Sequence, residues 1–512
     1  MKRWVSSAVI YQVNLRALAA REPRNAFEAA YEKRDTRSPL AYLTKNLPLL
    51  KKLGVNVLYL MPPYPMGLQD RKGIGSPYSI HDFRGVDPEH GTLDELADFV
   101  RRAHKSRMRV ILDITPNHTS RDHEWVSSHP EYYVKDSLGA IFYDADWSDT
   151  AKLDYANADL RREMVGVYDY WLSFLGPGRS GLPALREQAG QPDGVDGFRL
   201  DMAHLINDRG FWNQAVPELR ARHPDRELLF LAECYGTQNN LDLFSRGINA
   251  AYDDDFYKVC QYLYALSPAG QSVIRPSPEA KGNADFLDKY EAFKVNGIAG
   301  AMEAALLNYE STLPPGEDSP RLARYTDNHD EGRGLYRFGE GAVRAVSQLA
   351  FFSNHCIPFL LTGQEFGALN RPSIHNRIGP CDKGRRILRA DGAHAEEGVE
   401  FEGNLFARTP DERAAWYRFY RELIQLRLKN RELTHGKFLL VDVGEACRRP
   451  ERTVVAFERR LRRSAIRCAV NLGPEPRRLG LASLFEGKVL YGSLEGDVLL
   501  PFSSVVVRLE TY

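Results

Sequence analysis

The chain has 512 residues, 43% hydrophobic and 27% charged, an ordinary globular composition with length for more than one domain. Lys plus Arg and Asp plus Glu are both 68, so the formal net charge is zero and nothing points to a nucleic-acid partner or a membrane surface. No apolar run reaches the roughly 18 residues of a spanning helix, and residues 8–13 are too short and too polar-flanked for a signal peptide.

Six cysteines (Cys234, Cys260, Cys356, Cys381, Cys447, Cys468) are scattered without a Cys-x-x-Cys spacing. That usage predicts free thiols and a cytoplasmic protein.

Residues 9–14 read as an apolar strand, 40–53 as a helix and 55–60 as a second strand. A loop rich in Gly, Pro, Tyr and Asp covers 62–91. Thr92 and Glu95 make a capping box for a helix with Leu93, Leu96, Phe99, Val100 and Ala103 on one face. Residues 109–114 are a third strand, and 117–152, aromatic and poorly periodic, an inserted subdomain. A helix over 160–175 and a polar connection over 176–193 lead to a fourth strand, 197–200. A helix at 211–222 precedes a fifth strand at 228–232, and a weaker sixth spans 250–253. Residues 267–320 are helical in parts. Strands at 322–326 and 357–361 flank a helix at 342–352.

A long charged loop fills 363–409. Thr409 and Glu412 form a second capping box, opening a helix to 428 that should bury Trp416, Phe419, Tyr420, Leu423 and Leu426. After His435 the pattern changes to short strands at 438–441, 453–457, 465–470, 488–491 and 504–509, separated by Gly and Pro turns.

Eight alternations of strand and helix predict an α/β fold, a closed (β/α)8 barrel, with the excess length in loops after strands two, three and eight. The domains expected are a barrel from 1–116 and 153–435, an insert at 117–152 after strand three, and a C-terminal antiparallel β-sandwich at 436–512. An open doubly wound sheet is the alternative, but no Gly-x-Gly-x-x-Gly follows the first strand.

In a barrel the strand ends meet at one mouth. Asp113 and His118 follow strand three; Arg199, Asp201 and His204 close strand four; Glu233 ends strand five; Asn328, His329 and Asp330 follow strand seven. Arg199 and Asp201, two apart, point to one face of an extended strand, and the cation favours the ionised carboxylate. Carboxylates sharing a cavity raise one another's pKa, which suits glycoside hydrolysis: one acts as nucleophile, one as proton donor. Apolar surroundings would keep Glu233 protonated for the second role. The structural readings stand beside these. Asp113 can serve by pairing with Arg199, His204 faces a helix, and Tyr155 and Trp147 are either local core or sugar platforms.

These residues resemble the motifs of the α-amylase family of retaining glycoside hydrolases and transglycosylases. Asp113-Ile-Thr-Pro-Asn117-His118, Gly197-Phe-Arg199-Leu-Asp201, Glu233 and Asn328-His329-Asp330 look like its four motifs, and Leu153-Asp154 like the short motif ending its insert. The resemblance implies that Asp201 is the nucleophile, Glu233 the acid/base and Asp330 a binder of hydroxyls on the distorted sugar. Arg199, His118 and His329 would orient groups around them, with Asp113 beside Arg199. Tyr78 would stack on the sugar being cleaved. It implies an α-glucan or oligosaccharide substrate, no cofactor for the chemistry, and calcium as a possible structural ion with Asn117 as a ligand. Where many family members carry Lys-His after the nucleophile this chain has His204-Leu205, which weakens that calcium expectation. Ser79 stands where family members acting on α-1,6 or short substrates often have Asp, which favours an α-1,4-glucan. The expected activity is α-1,4-glucan hydrolysis by double displacement. Transglycosylation or glucan rearrangement (a glucanotransferase or trehalose-forming isomerase) and a non-catalytic carbohydrate-binding protein are the alternatives.

Overall fold

The structure is a computed structural model and describes residues 3–18, 38–71, 75–176, 193–263, 284–314, 316–331, 333–368, 386–388, 394–396, 409–445 and 451–509. Eight strands close into a barrel in sequential order: β1 Ile10–Val13, β2 Val57–Leu60, β3 Arg109–Ile114, β4 Gly197–Leu200, β5 Leu229–Ala232, β6 Ala250–Tyr252, β7 Arg321–Arg324 and β8 Cys356–Leu361. Almost every residue of these strands is buried, as continuous apolar runs in a parallel sheet require. Gly197 opens β4 at φ 150°, where a Cβ would lie 2.0 Å from the Leu229 carbonyl oxygen, so only glycine lets β4 and β5 pair there.

Local chemistry explains the helices. Ser38 caps Pro39–Leu53, with Pro39 in the first turn and Gly54, at φ 106°, closing the far end. The Thr92/Glu95 box forms, with Thr92 N donating to Glu95 Oε2 at 2.9 Å and Glu95 N to Thr92 Oγ1 at 3.2 Å. Leu96, Phe99, Val100 and Ala103 of Leu93–Lys105 are buried, and Leu93 is half-buried. The second box opens Pro410–Lys429. Leu426 is only half-buried, contrary to expectation, because the buried stripe runs Trp416, Phe419, Tyr420, Leu423, Arg427 at helical spacing and Leu426 sits one residue off it. Arg427 serves as core by donating to Phe351 O at 2.7 Å, Cys356 O at 2.7 Å and Leu433 O at 3.0 Å.

The chain divides into two compact units: Met1–Tyr252 with Pro372–Arg385 and Glu397–Asn404, and Asp253–Arg371 with Arg386–Glu396 and Leu405–Tyr512. Within the first, the segment after β3 pairs His118–Ser120 antiparallel with Thr150–Lys152. Trp125, Tyr132 and Tyr133 are buried in it. Tyr155 is core, its hydroxyl donating to Pro116 O at 2.7 Å. Trp147 is half-buried, its ring centroid 5.5 Å from that of His118.

Within the second unit, Ala284–Leu307 is helical on both sides of a break at Gly297. The C-terminal strands β9 Lys437–Leu440, β10 Val454–Leu461, β11 Ser464–Asn471, β12 Lys488–Gly492 and β13 Ser504–Arg508 make one antiparallel sheet in the order β9-β10-β11-β13-β12. Val454, Ala456, Ala469, Val505 and Val507 from one of its faces pack with Leu479, Phe485 and Leu499 from the covering layer, which includes the pair Arg477–Arg478 and Val498–Leu499. Most of the expected connection at 176–193 and loop at 363–409, together with Cys381 and Cys447, lie outside the described residues. Among the described residues no helix is long and apolar enough to cross a membrane.

Candidate active site

The register of the sheet places the charged groups. Asp113 of β3 is the partner of Arg199 in β4, and Leu200 of β4 that of Ala232 in β5. Asp201 and Glu233 each follow the last residue of their strand, so they leave the sheet at adjacent points. Backbone bonds carry the parallel pattern one step past the strands: Asp201 N donates to Ile114 O and Glu233 N to Leu200 O, each at 2.9 Å.

Arg199 is the centre. One terminal nitrogen, Nη1, lies 2.9 Å from Asp113 Oδ1 and 2.6 Å from Asp201 Oδ1; the other, Nη2, lies 2.7 Å from Glu233 Oε2. The guanidinium also faces the rings of Tyr78 and Tyr252, 5.6 and 5.5 Å from their centroids. Tyr59 and Tyr78 donate to the other oxygen of Asp113 at 2.5 and 2.9 Å. Asp113 thus pairs with Arg199 as the structural reading had it.

One buried cation faces three carboxylates, a deficit of two positive charges if all are ionised. Burial pushes the Asp113 carboxyl up to about 6, with Arg199 and the two tyrosine hydroxyls pulling the other way. Burial also holds Asp201 well above the usual carboxylate range; Arg199 opposes this, while Glu233 and Asp113 add to it. The expectation that the cation alone keeps Asp201 ionised is therefore corrected, since desolvation and two like charges outweigh it.

Glu233 is not in apolar surroundings, contrary to expectation. Besides Arg199 it accepts from Met202 N at 3.1 Å, and the Tyr235 hydroxyl donates to Oε1 at 2.7 Å. Met202 holds φ 44°, a strained conformation for its residue type, next to the residue that closes β4. His204 is placed beside Glu233. It lies in a turn with its ring edge-on to Tyr235, centroids 5.9 Å apart, and it bonds the Glu233 backbone.

His118 is buried, bonded to the Tyr78 backbone, and burial drives its pKa down to about 4, so it is neutral. Ser79 donates to Asp149 O at 2.8 Å. In the second unit Asn328 Oδ1 accepts from Asp330 N at 2.9 Å and Glu331 N at 2.8 Å, fixing a turn that exposes Asp330. His329 Nε2 lies 3.2 Å from Asp330 Oδ2, and Asp327 pairs with Arg333 beneath the turn at 3.5 Å.

Asn117 was expected as a calcium ligand. Its amide nitrogen, not its oxygen, faces Asp144 Oδ2 at 2.8 Å. Lys152 Nζ lies 2.7 Å from both Asp144 oxygens and 3.3 Å from Leu205 O. Among the described residues no group of three or more His, Cys, Asp or Glu side chains could hold a metal. An ion that takes six to eight oxygens does not fit a place with one carboxylate already bound by an ammonium.

The structure therefore brings together Tyr78, Asp113, Arg199, Asp201 and Glu233. Sequence reasoning missed Tyr59, Tyr252 and Tyr235. The only signal was a hydroxyl-bearing residue in or beside an otherwise apolar strand, which core tyrosines share.

The α-amylase catalytic-domain family model matches residues 32–147. An α-amylase of Dictyoglomus thermophilum is 23% identical over 99% of this chain and 94% of its own length. The α-amylase of Lactobacillus plantarum superposes with a TM-score of 0.66 at 23% identity, covering 99% of both chains. The chain is similar to the α-amylase family in part of its barrel by the family model, and along nearly its whole length to one curated α-amylase. A maltosyltransferase of Arcanobacterium haemolyticum that uses maltose 1-phosphate and α-1,4-glucan matches more locally, 28% identical over 47% of this chain and 36% of that protein.

Proposed function

We propose that this chain is a retaining glycoside hydrolase of the α-amylase family that cleaves α-1,4-linked glucans or maltooligosaccharides. The observation that carries the reading is a single guanidinium, Arg199, holding Asp201 on one arm and Glu233 on the other. Two carboxyl groups spanned by one guanidinium suit the closer, retaining separation of about 5–5.5 Å rather than the wider inverting one. In the first step Asp201, in the state where Glu233 carries the proton and Asp201 is ionised, attacks the anomeric carbon, and Glu233 gives that proton to the departing glycosidic oxygen. In the second, Glu233 takes a proton from water, whose oxygen displaces Asp201 from the sugar. Arg199 offsets charge as it moves between the two carboxyl groups. By the family resemblance, Tyr78 stacks on the ring being cleaved, neutral His118 and His329 donate to its hydroxyls, and Asp330 binds the hydroxyls of the distorted sugar. The scattered buried thiols Cys234, Cys260, Cys356 and Cys468 support a reducing, cytoplasmic setting.

Reducing-sugar release from maltooligosaccharides, with Asp201→Asn as control, tests the reading. Equal release by both proteins would remove Asp201 from the mechanism. The local match to a maltosyltransferase favours transfer to a sugar hydroxyl as the second reading. Longer oligosaccharides at high acceptor concentration would identify it.

A further inference from the structure

We propose that Lys152 is a built-in cation whose ammonium joins the segment after β3 to the loop after β4, so that this fold is held at that place without calcium. A lysine has three N–H donors, and here three oxygens receive them: both of Asp144 at 2.7 Å and the Leu205 carbonyl at 3.3 Å. The oxygens come from two separate parts of the chain, and Lys152 itself is the last residue of the strand Thr150–Lys152. Asn117 completes the cluster by donating to the same Asp144 carboxylate from the end of β3. The arrangement has the architecture of a metal bridge, with oxygens from several segments converging on one positive centre.

Its charges say that the centre is the lysine. Lys152 and Asp144 cancel, and among the described residues no group of three or more His, Cys, Asp or Glu side chains gathers there to attract a dication. A calcium ion at this place would sit against an ammonium and would need Asn117 to turn its oxygen inward. The pair is largely shielded, with side chains 12% and 20% exposed, so the attraction is weakly screened. Asn117 adjoins His118, and Leu205 follows His204 beside Glu233. The clamp therefore borders the site without touching the proposed reacting carboxyl groups.

Thermal melting of the full chain in excess EDTA and in millimolar CaCl2 tests this, together with Lys152→Met. The wild-type midpoint should be the same in both solutions, and calorimetric titration with CaCl2 should show no binding that depends on Asp144. Lys152→Met should melt several degrees lower in either solution, because a partly buried carboxylate loses its counter-charge. Two results would overturn the proposal: a calcium-induced rise of the wild-type midpoint that Asp144→Asn abolishes, or a Lys152→Met protein that melts with the wild type. Neither readout uses activity, so it stands apart from the proposed reaction.

Discussion

Two buried arginines on barrel strands make a natural experiment. Arg324 of β7 and Arg199 of β4 are both fully buried. Arg324 meets one carboxylate, Asp253, through Nε at 2.7 Å, while its Nη1 donates to Ser353 Oγ and the Asn354 carbonyl. Asp253 in turn accepts from Phe256 N at 3.1 Å as a helix cap. That pair is balanced. Arg199 meets three carboxylates and two aromatic rings, and the excess of negative charge is left for a proton or a substrate to resolve. A balanced buried pair builds scaffold, whereas an unbalanced one stores the electrostatic strain that acid–base chemistry uses.

The sharpest way to break the contrast is Asp201→Asn. It should lower kcat at least about 10⁴-fold, the scale of losing a nucleophile. The same change removes one like charge from a crowded, buried cluster, so the melting midpoint should hold or rise. A variant with full turnover would make the Arg199 cluster mere scaffold, like the Arg324 pair.

Next are the arginines themselves. Arg199→Met strands three carboxyl groups and Arg324→Met strands one; breaking a buried pair costs about 3–5 kcal/mol. Both should therefore melt well below wild type in a thermal scan. The folded fraction of Arg324→Met should retain its kcat, and that of Arg199→Met should not. Replacing Arg324 and Asp253 together by apolar residues should recover most of the lost stability, since no charge is then left alone. Equal kcat losses from Arg199→Met and Arg324→Met would erase the distinction.

The contrast also explains what could be read from the chain. Strands β3 and β4 were legible to the residue, because unbroken apolar runs stop at an acidic group or open on a glycine. Asp113, Arg199, Asp201 and Glu233 were legible because each sits in or just past such a run. What was not legible is how many carboxylates one arginine would face, since that depends on the lateral register of β3, β4 and β5. Glu233 was misread as apolar for the same reason: of its neighbours in sequence Tyr235 turns its hydroxyl to the carboxyl group, and Arg199 and Met202 N reach it from the adjacent strand end. The Lys152 clamp was hidden because a lysine at a strand end is usually a solvated one.

A smaller effect separates the two oxygens of Glu233. Arg199 and Met202 N hold Oε2, and Tyr235 alone of the named partners reaches Oε1, at 2.7 Å. Tyr235→Phe removes one hydrogen bond to a charged group, worth about 1.5 kcal/mol. A fall in kcat/KM of about 10-fold is expected, with the melting midpoint unchanged. An unchanged kcat/KM would mean that Arg199 by itself positions the acid, which would tighten the contrast with Arg324.

The smallest expected effect lies in the pH dependence of stability, where two buried groups of the first unit oppose each other. Burial lifts Asp113 from 3.8 to about 6, so between those pH values the folded chain keeps a proton that the unfolded chain has released, and stability falls as pH rises. Burial lowers His118 from 6.5 to about 4, so in nearly the same window the unfolded chain holds a proton that the folded chain refuses, and stability rises with pH. Asp201, also raised by burial, adds to the falling side. Melting midpoints of wild type and variants between pH 4 and 6 expose the balance. Relative to wild type, Asp113→Asn should tilt the trend upward with pH and His118→Gln should tilt it downward, each by at most one proton, about 1.4 kcal/mol per pH unit. Parallel profiles for all three proteins would mean that Arg199 and the tyrosines cancel the burial of Asp113 completely, which would make the β4 arginine as well balanced as the one on β7.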